Sequence, residues 1–147
     1  MNELLRKSAA EQSKALKNKE ISAVELTNAA FERIDTIEEK IGAFNSLTKD
    51  TALETAKKVD EKIAKGEELP LLAGIPLALK DNMNLVGSRT TASSKILENF
   101  VSPFQAGPCH TFDGYHGDGV FITHLYGLLY VQGLALGGQA WQGRHYS

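Results

Sequence analysis

Among the residues that could take part in chemistry, Lys80 is the strongest candidate. It ends an apolar segment, residues 72–79 (Leu-Ala-Gly-Ile-Pro-Leu-Ala-Leu), and the polar residues Asp81 and Asn82 follow it. An ammonium at the lip of a buried strand is costly to desolvate, and that cost lowers the pKa of a lysine toward that of a general base. The plain alternative is a strand-end lysine whose long side chain reaches the solvent. Lys80 is therefore a candidate base, and its neighbours must decide between the two interpretations.

Hydroxyl groups that such a base could activate follow closely, in Thr90-Thr91-Ala92-Ser93-Ser94. Neither Ser93 nor Ser94 lies in a glycine-rich turn that would expose a nucleophile beside backbone donors. Serine before a helical segment is a common N-cap. We therefore expect these two serines to open a short helix from Lys95 to Asn99 and not to act as nucleophiles.

The elements that must position Lys80 are three helices and two strands. Apolar spacing predicts a first helix over Asn2 to Lys17. Ser22 and Glu25 form a capping box for a second helix, whose apolar face is Val24, Phe31, Ile34, Ile37 and Ile41. Asp50 is the expected cap of a third helix, which ends at Lys65-Gly66. Strands are predicted over Ala43–Thr48 and Leu77–Lys80, so the class is α/β, mainly helical in residues 1–66.

Composition limits the functional class and divides the chain in two. The 147 residues carry a net charge of −2, which gives no basic footprint for nucleic acid or membrane. The N-terminus lacks the apolar core of a signal peptide, and Cys109 is the single cysteine, so a cytoplasmic location is expected. From Val101 onward there is no Lys or Glu, and Asp113, Asp118 and Arg144 are the only charged residues.

The segment 105–147 receives no assigned element. Its possible ligands Cys109, His110, His116 and His124 match no common zinc spacing, so no metal site is expected. The apolar stretch Val120–Leu136 approaches the length of a membrane span, but it is interrupted by polar residues and glycines and lacks flanking positive charge. We therefore expect neither a metal site nor a membrane span here.

Two blocks of sequence resemble the amidase signature family. The pattern Leu-x-Gly-x-Pro-x-x-x-Lys-Asp at residues 72–81 is followed by Thr90-Thr91-x-x-Ser94 in the order that the family shows. The sequence of residues 90–97 is most similar to that of the A subunits of glutamyl-tRNA(Gln)/aspartyl-tRNA(Asn) amidotransferases. The resemblance covers roughly residues 1–104 and implies the N-terminal part of a mixed sheet flanked by helices.

The resemblance also implies a chemistry. Lys80 would be the base of a Ser–cis-Ser–Lys triad, with Asp81 and Asn82 ordering the turn that carries it. Such A subunits hydrolyse glutamine through an acyl-serine, and the ammonia amidates Glu-tRNA(Gln) on a B subunit, with a C subunit bridging the two. ATP and magnesium belong to the B subunit, so no cofactor and no direct nucleic-acid contact are expected of this chain.

The serine loop of the family has no match in these 147 residues. Family members carry Gly-Gly-Ser-Ser-Gly-Gly-Ser downstream of the lysine, whereas no serine occurs here between Ser102 and Ser147. We therefore expect a fragment that ends before the nucleophile and is inactive alone, with residues 105–147 arising from a frameshift, a fusion or a genuine extension. The open alternatives are a non-catalytic interaction fragment and a fragment of a general small-amide amidase.

Overall fold

The computed structural model describes residues 3–109 and 119–125, which form three α-helices, a three-stranded sheet and two short 3-10 helices. In chain order the elements are a 3-10 helix at Glu3–Arg6, α1 (Ala9–Lys17), α2 (Ala23–Ile41), β1 (Phe44–Leu47), α3 (Lys49–Lys65), β2 (Pro76–Lys80), a 3-10 helix at Lys95–Leu97 and β3 (Val120–Leu125).

The first predicted helix begins later than its apolar spacing indicated. Helix α1 starts at Ala9, because Ser8 is its N-cap and forms a capping box with Glu11. The Ser8 hydroxyl accepts from the Glu11 amide at 3.3 Å, and the Glu11 carboxylate accepts from the Ser8 amide at 2.7 Å. The prediction of one helix from Asn2 was therefore wrong, since the serine satisfies backbone donors that a continuous helix would otherwise satisfy.

Removing the Ser8 hydroxyl is expected to change how Glu11 titrates. The hydroxyl and the amide of Ser8 both donate to the carboxylate, which lowers the pKa of Glu11 below its ordinary value of 4.5. Because the pKa is lowered in the folded state, the contribution of the Glu11 carboxylate to stability is present above pH 4.5. It is lost as the pH falls through the lower pKa of the folded state. We expect Ser8→Ala to raise the pKa of Glu11 in an NMR titration of its side chain. The lowered pKa of Glu54, which results from its bond to Lys58, should stay the same; an unchanged Glu11 curve would contradict the prediction.

Helix α2 begins with the predicted capping box and with a cap from another helix. Ser22 and Glu25 bond reciprocally, which confirms the sequence prediction. The carboxylate of Asp60, on α3, also accepts from the amides of Ala23 at 2.7 Å and Val24 at 3.1 Å. A carboxylate at a helix N-terminus is favoured by the helix dipole as well as by these bonds. Asp60 thus joins the start of α2 to α3.

Helix α3 begins before the predicted cap. Its first residue is Lys49, so Asp50 lies in the first turn and is not the N-cap. Thr48 precedes the helix, but its hydroxyl donates to the Phe121 carbonyl of β3 at 2.8 Å and makes no cap bond. The prediction failed because this partner lies far along the chain. The end at Lys65-Gly66 is confirmed, with Gly66 left-handed at φ 77°.

The sheet has the order β1-β3-β2, so the strand from the unassigned segment 105–147 lies between the two predicted strands. Strand β3 is parallel to β2 and antiparallel to β1. Leu125 pairs with both Lys80 and Phe44, so the end of β2 and the start of β1 lie at the same end of the sheet, on either side of β3. The α/β class is confirmed, and β3 is the strand that sequence reasoning missed.

Two apolar clusters hold the helices and the sheet together. The larger lies between the helices and the sheet, and its buried members are Leu16, Ala23, Leu26, Ala30, Phe31, Ile34, Ala52, Ala56, Val59, Ala73, Ile75 and Val120. The smaller joins Leu79, Cys109 and Phe121. Of the predicted α2 face, Phe31 and Ile34 are buried whereas Ile41 is exposed. Within residues 3–109 and 119–125, none of the helices has the length and apolarity needed to cross a membrane.

Candidate active site

Lys80 is the last residue of β2 and is half-buried. Its neighbour Leu79 is 2% exposed and packs with Cys109 and Phe121, so the strand end rests on an apolar layer. The Met83 amide donates to the Lys80 carbonyl at 2.9 Å, which closes a turn directly after the strand. The structure thus places Lys80 where the sequence predicted it, at the end of a strand that emerges from a loop; its role as a base stays a prediction.

The fold requires a glycine at position 74, in the pattern that leads to Lys80. Gly74 is left-handed at φ 74°, and a Cβ there would lie 2.9 Å from Val59 Cγ1 and 3.0 Å from Ala23 Cβ. Glycine is therefore needed both for its backbone conformation and for the close approach of the loop to α2 and α3. This close packing anchors the loop that leads into β2.

Asp81 connects the end of β2 to two other segments. Its side chain is almost fully buried, at 2% exposure. One carboxylate oxygen accepts from the Thr91 amide at 2.7 Å, and the other accepts from the Thr91 hydroxyl and from the Asn45 amide nitrogen, the latter at 2.6 Å. The Asp81 carbonyl also accepts from the Ala92 amide at 2.7 Å. We call Asp81, Thr91 and Asn45 the Asp81 cluster.

The segment 87–102 presents Thr91 to this cluster. It folds back on itself through backbone bonds from Gly87 to Ser102 at 2.9 Å, from Ser102 to Ser88 at 3.0 Å and from Thr90 to Phe100 at 3.1 Å. Arg89 donates from Nη2 to the Asn45 carbonyl at 2.7 Å. Both Thr91 and Arg89 therefore tie this segment to β1 and to the end of β2.

Ser93 and Ser94 belong to the turn that begins at Thr91. Ser93 is exposed and left-handed at φ 59°, and its amide donates to the Thr91 hydroxyl at 3.2 Å. Ser94 precedes a 3-10 helix without a side-chain cap bond. The predicted helix from Lys95 to Asn99 is shorter than expected, ending at Leu97, because Phe100 already belongs to the returning part of the segment.

A cleft of about 470 Å³ adjoins the Asp81 cluster. Its lining combines hydroxyl and amide groups with three charged side chains; the lining residues are Asn45, Arg89, Thr91, Ser93, Ser94, Lys95 and Glu98. This cleft therefore offers polar contacts next to the turn that carries Lys80.

Sequence reasoning found some members of this site and missed others. It identified Lys80, Asp81 and the Thr90-Thr91 block, which the structure brings together at the end of β2. It missed Asn45, because an asparagine in a short strand carries no signal of a contact 36 residues further along the chain. Of the possible metal ligands, Cys109 is buried among apolar side chains, whereas His110 and His116 lie outside the described residues.

The chain matches known amidases in sequence. The family model named Amidase matches residues 25–112. The A subunit of the glutamyl-tRNA(Gln) amidotransferase of Carboxydothermus hydrogenoformans is 52% identical over 104 residues, which is 71% of this chain and 21% of that protein. The chain thus spans about a fifth of the length of this curated relative.

Two solved amidase structures have a fold similar to that of this chain. The native peptide amidase from Stenotrophomonas maltophilia matches with a TM-score of 0.71 and 27% identity, over 80% of this chain and 24% of its own. A bacterial aryl acylamidase matches with a TM-score of 0.76 and 23% identity, over 84% of this chain and 26% of its own, which shows the fold alone. Both structural matches cover more of this chain than the sequence match does.

Proposed function

Because the chain belongs to the amidase signature family, we propose that residues 1–104 are the N-terminal part of a glutamine-hydrolysing amidotransferase subunit, with Lys80 as its base. The observation that carries the proposal is the placement of Lys80: it is half-buried at the end of β2, and the next residue is tied to the Thr90-Thr91 block. The 52% identity to the A subunit of a glutamyl-tRNA(Gln) amidotransferase supports this subfamily.

The proposed role of Lys80 is to accept a proton. A neutral amine would take the proton of a nucleophilic serine through a bridging serine, and the serine would attack the side-chain amide of glutamine. The proton then passes back from the lysine to the leaving nitrogen, ammonia departs, and water hydrolyses the acyl-serine. Because the 147 residues contain no match to the family's serine loop, we propose that this chain by itself does not complete the reaction.

The remaining parts of the proposal follow from the same subfamily. We propose that the partners are B and C subunits of an amidotransferase complex, that glutamine is the substrate and that the location is cytoplasmic. ATP and magnesium would act on the B subunit, and this chain would make no direct contact with nucleic acid. The net charge of −2 supports the last point, since phosphate contacts need a basic surface.

A chimera tests the proposal, with residues 1–104 replacing the matching part of the Carboxydothermus protein. The chain alone should release no ammonia from glutamine above background. The chimera, assembled with B and C subunits, should hydrolyse glutamine, and Lys80→Ala should lower kcat by about 10²–10⁴-fold, the range of general base catalysis. Ammonia release is the measurement.

Lys57→Ala is the matched control, because Lys57 is exposed on α3, does not line the cleft beside the Asp81 cluster and has no proposed part in proton transfer. It should leave kcat within about twofold, as surface substitutions usually do. A folded, assembled chimera that hydrolyses glutamine equally well with Lys80→Ala would refute the role of Lys80. Ammonia release from glutamine by the unmodified 147-residue chain would refute its proposed inactivity.

A general small-amide amidase is the second candidate, favoured by the 27% identity to a peptide amidase. The same chimera distinguishes the two candidates poorly, since its downstream part sets the substrate pocket. Binding does so better: the 147-residue chain should be retained by immobilised B and C subunits if the first candidate is right. Absence of retention, for chain that gives a cooperative thermal transition, would favour the second.

A further inference from the structure

We propose that Asp81 is a positioning residue for Lys80, and that the Asp81 cluster sets the direction in which the lysine side chain leaves the end of β2. This inference rests on the proposed function, in which Lys80 is the base. It assigns to Asp81, Thr91 and Asn45 a role in holding the reactive amine and not only in holding the fold.

Asp81 is anchored by donors from two other segments of the chain. Asp81 is fixed through its carboxylate, which accepts three hydrogen bonds from Thr91 and Asn45, and through its carbonyl, which accepts from Ala92. The Asn45 donor comes from β1, 36 residues earlier in the chain than Asp81, and the Thr91 donors come from the segment 87–102, 10 residues later. An ionised acceptor makes each such bond stronger than a neutral one.

A single peptide bond joins Lys80 to this anchored residue. On its other side, Lys80 is fixed by pairing with Leu125 and by the Met83 amide that donates to its carbonyl at 2.9 Å. The joining peptide is planar, so the Lys80 backbone can turn only about φ and ψ. Pairing with Leu125 on one side and the anchored Asp81 on the other restrict these two angles, and with them the Cα–Cβ direction of Lys80.

Burial keeps the partners of Asp81 in place. At 2% exposure, the Asp81 carboxylate cannot exchange its protein partners for water at low cost. Arg89 adds a further bond to the Asn45 carbonyl at 2.7 Å, so the Asn45 side of the cluster is itself held in place. The cluster is thus a fixed arrangement, and loss of one donor should change the direction of the adjacent Lys80 side chain.

The test is the reactivity of Lys80 in the full 147-residue chain, measured without substrate. Each lysine is acylated with a limiting amount of acetic anhydride at a series of pH values, which separates the rate of the neutral amine from its degree of protonation, and the neutral-amine rate at Lys80 is divided by that at exposed Lys57 on α3. Thr91→Val removes the donating hydroxyl at nearly constant volume. It should raise this ratio by about fivefold, the factor for one lost hydrogen bond, because the half-buried lysine becomes more accessible. Thr91→Ser keeps the hydroxyl and should restore the ratio of the unmodified chain.

Asp60→Asn is the control for a purely structural effect. It weakens the cap on α2, and so lowers stability, without touching the Asp81 cluster, and it should leave the ratio unchanged. If Thr91→Val does not fold, Asn45→Ala removes the donor from β1 and should raise the ratio in the same way. An unchanged ratio in a folded cluster variant, or an equal rise in Asp60→Asn, would overturn the inference. The base role itself is tested separately by Lys80→Ala in the chimera.

Discussion

Replacing Gly74 with alanine is expected to lower the free energy of unfolding by about 2–5 kcal/mol, the combined cost of a left-handed alanine and of an overpacked contact. Gly74 has φ 74°, and the added Cβ would lie 2.9 Å from Val59 Cγ1 and 3.0 Å from Ala23 Cβ. Leu16 Cδ1 follows at 3.5 Å, so the new methyl group would meet side chains from all three helices. The loop into β2 would have to move away from the core.

Urea denaturation of the single and double variants separates the two costs. Val59→Ala removes the nearest atom, so Gly74→Ala in that background should cost less than in the unmodified chain. The remaining loss combines the left-handed backbone, about 1–2 kcal/mol, with the 3.0 Å contact to Ala23 Cβ, which Val59→Ala leaves in place. Strictly additive losses would show that the contact with Val59 is relieved in another way. Gly87→Ala is the matched control, because Gly87 is also left-handed but has open space around its Cβ position.

Phe31→Ala is the second substitution with a large expected effect, about 3–5 kcal/mol of unfolding free energy. Phe31 is 1% exposed in the middle of α2 and belongs to the larger apolar cluster. Its removal leaves a cavity between α2 and the elements packed on it. The surrounding helices cannot close such a cavity completely, because their caps and the sheet hold them in place.

Lys49→Gln is the companion of this substitution. The Lys49 ammonium lies 5.5 Å from the centroid of the Phe31 ring, so it makes a cation–π contact at the edge of the same site. Its loss should cost only about 0.5–1 kcal/mol, the range for exposed contacts of this kind. The midpoint and slope of urea unfolding measure both effects. A loss for Phe31→Ala no larger than that for Lys49→Gln would mean that the core closes around the missing ring.

Local signals predicted the elements whose bonds are local. The capping box of Ser22 and Glu25 joins residues three apart, so it can be identified in the sequence and is confirmed. Gly66 is confirmed for the same reason, since a left-handed stop involves only its own helix. The strand that ends at Lys80 follows from prolines that force extended backbone on the residues before them. The start of α3 was wrong because Thr48 bonds to Phe121 and not to its own helix.

Three helices before β2, the two outer strands and the α/β class could be predicted from the residues alone, although α1 and α3 begin at other residues than predicted. The place of β3 between β1 and β2, and the donors that Asp81 receives from Thr91 and Asn45, follow from the packing of the folded chain. The two groups of features differ in the range of their interactions. Caps, turns and amphipathic faces depend on residues a few positions apart, whereas strand order and a buried carboxylate's partners depend on which distant segments pack together.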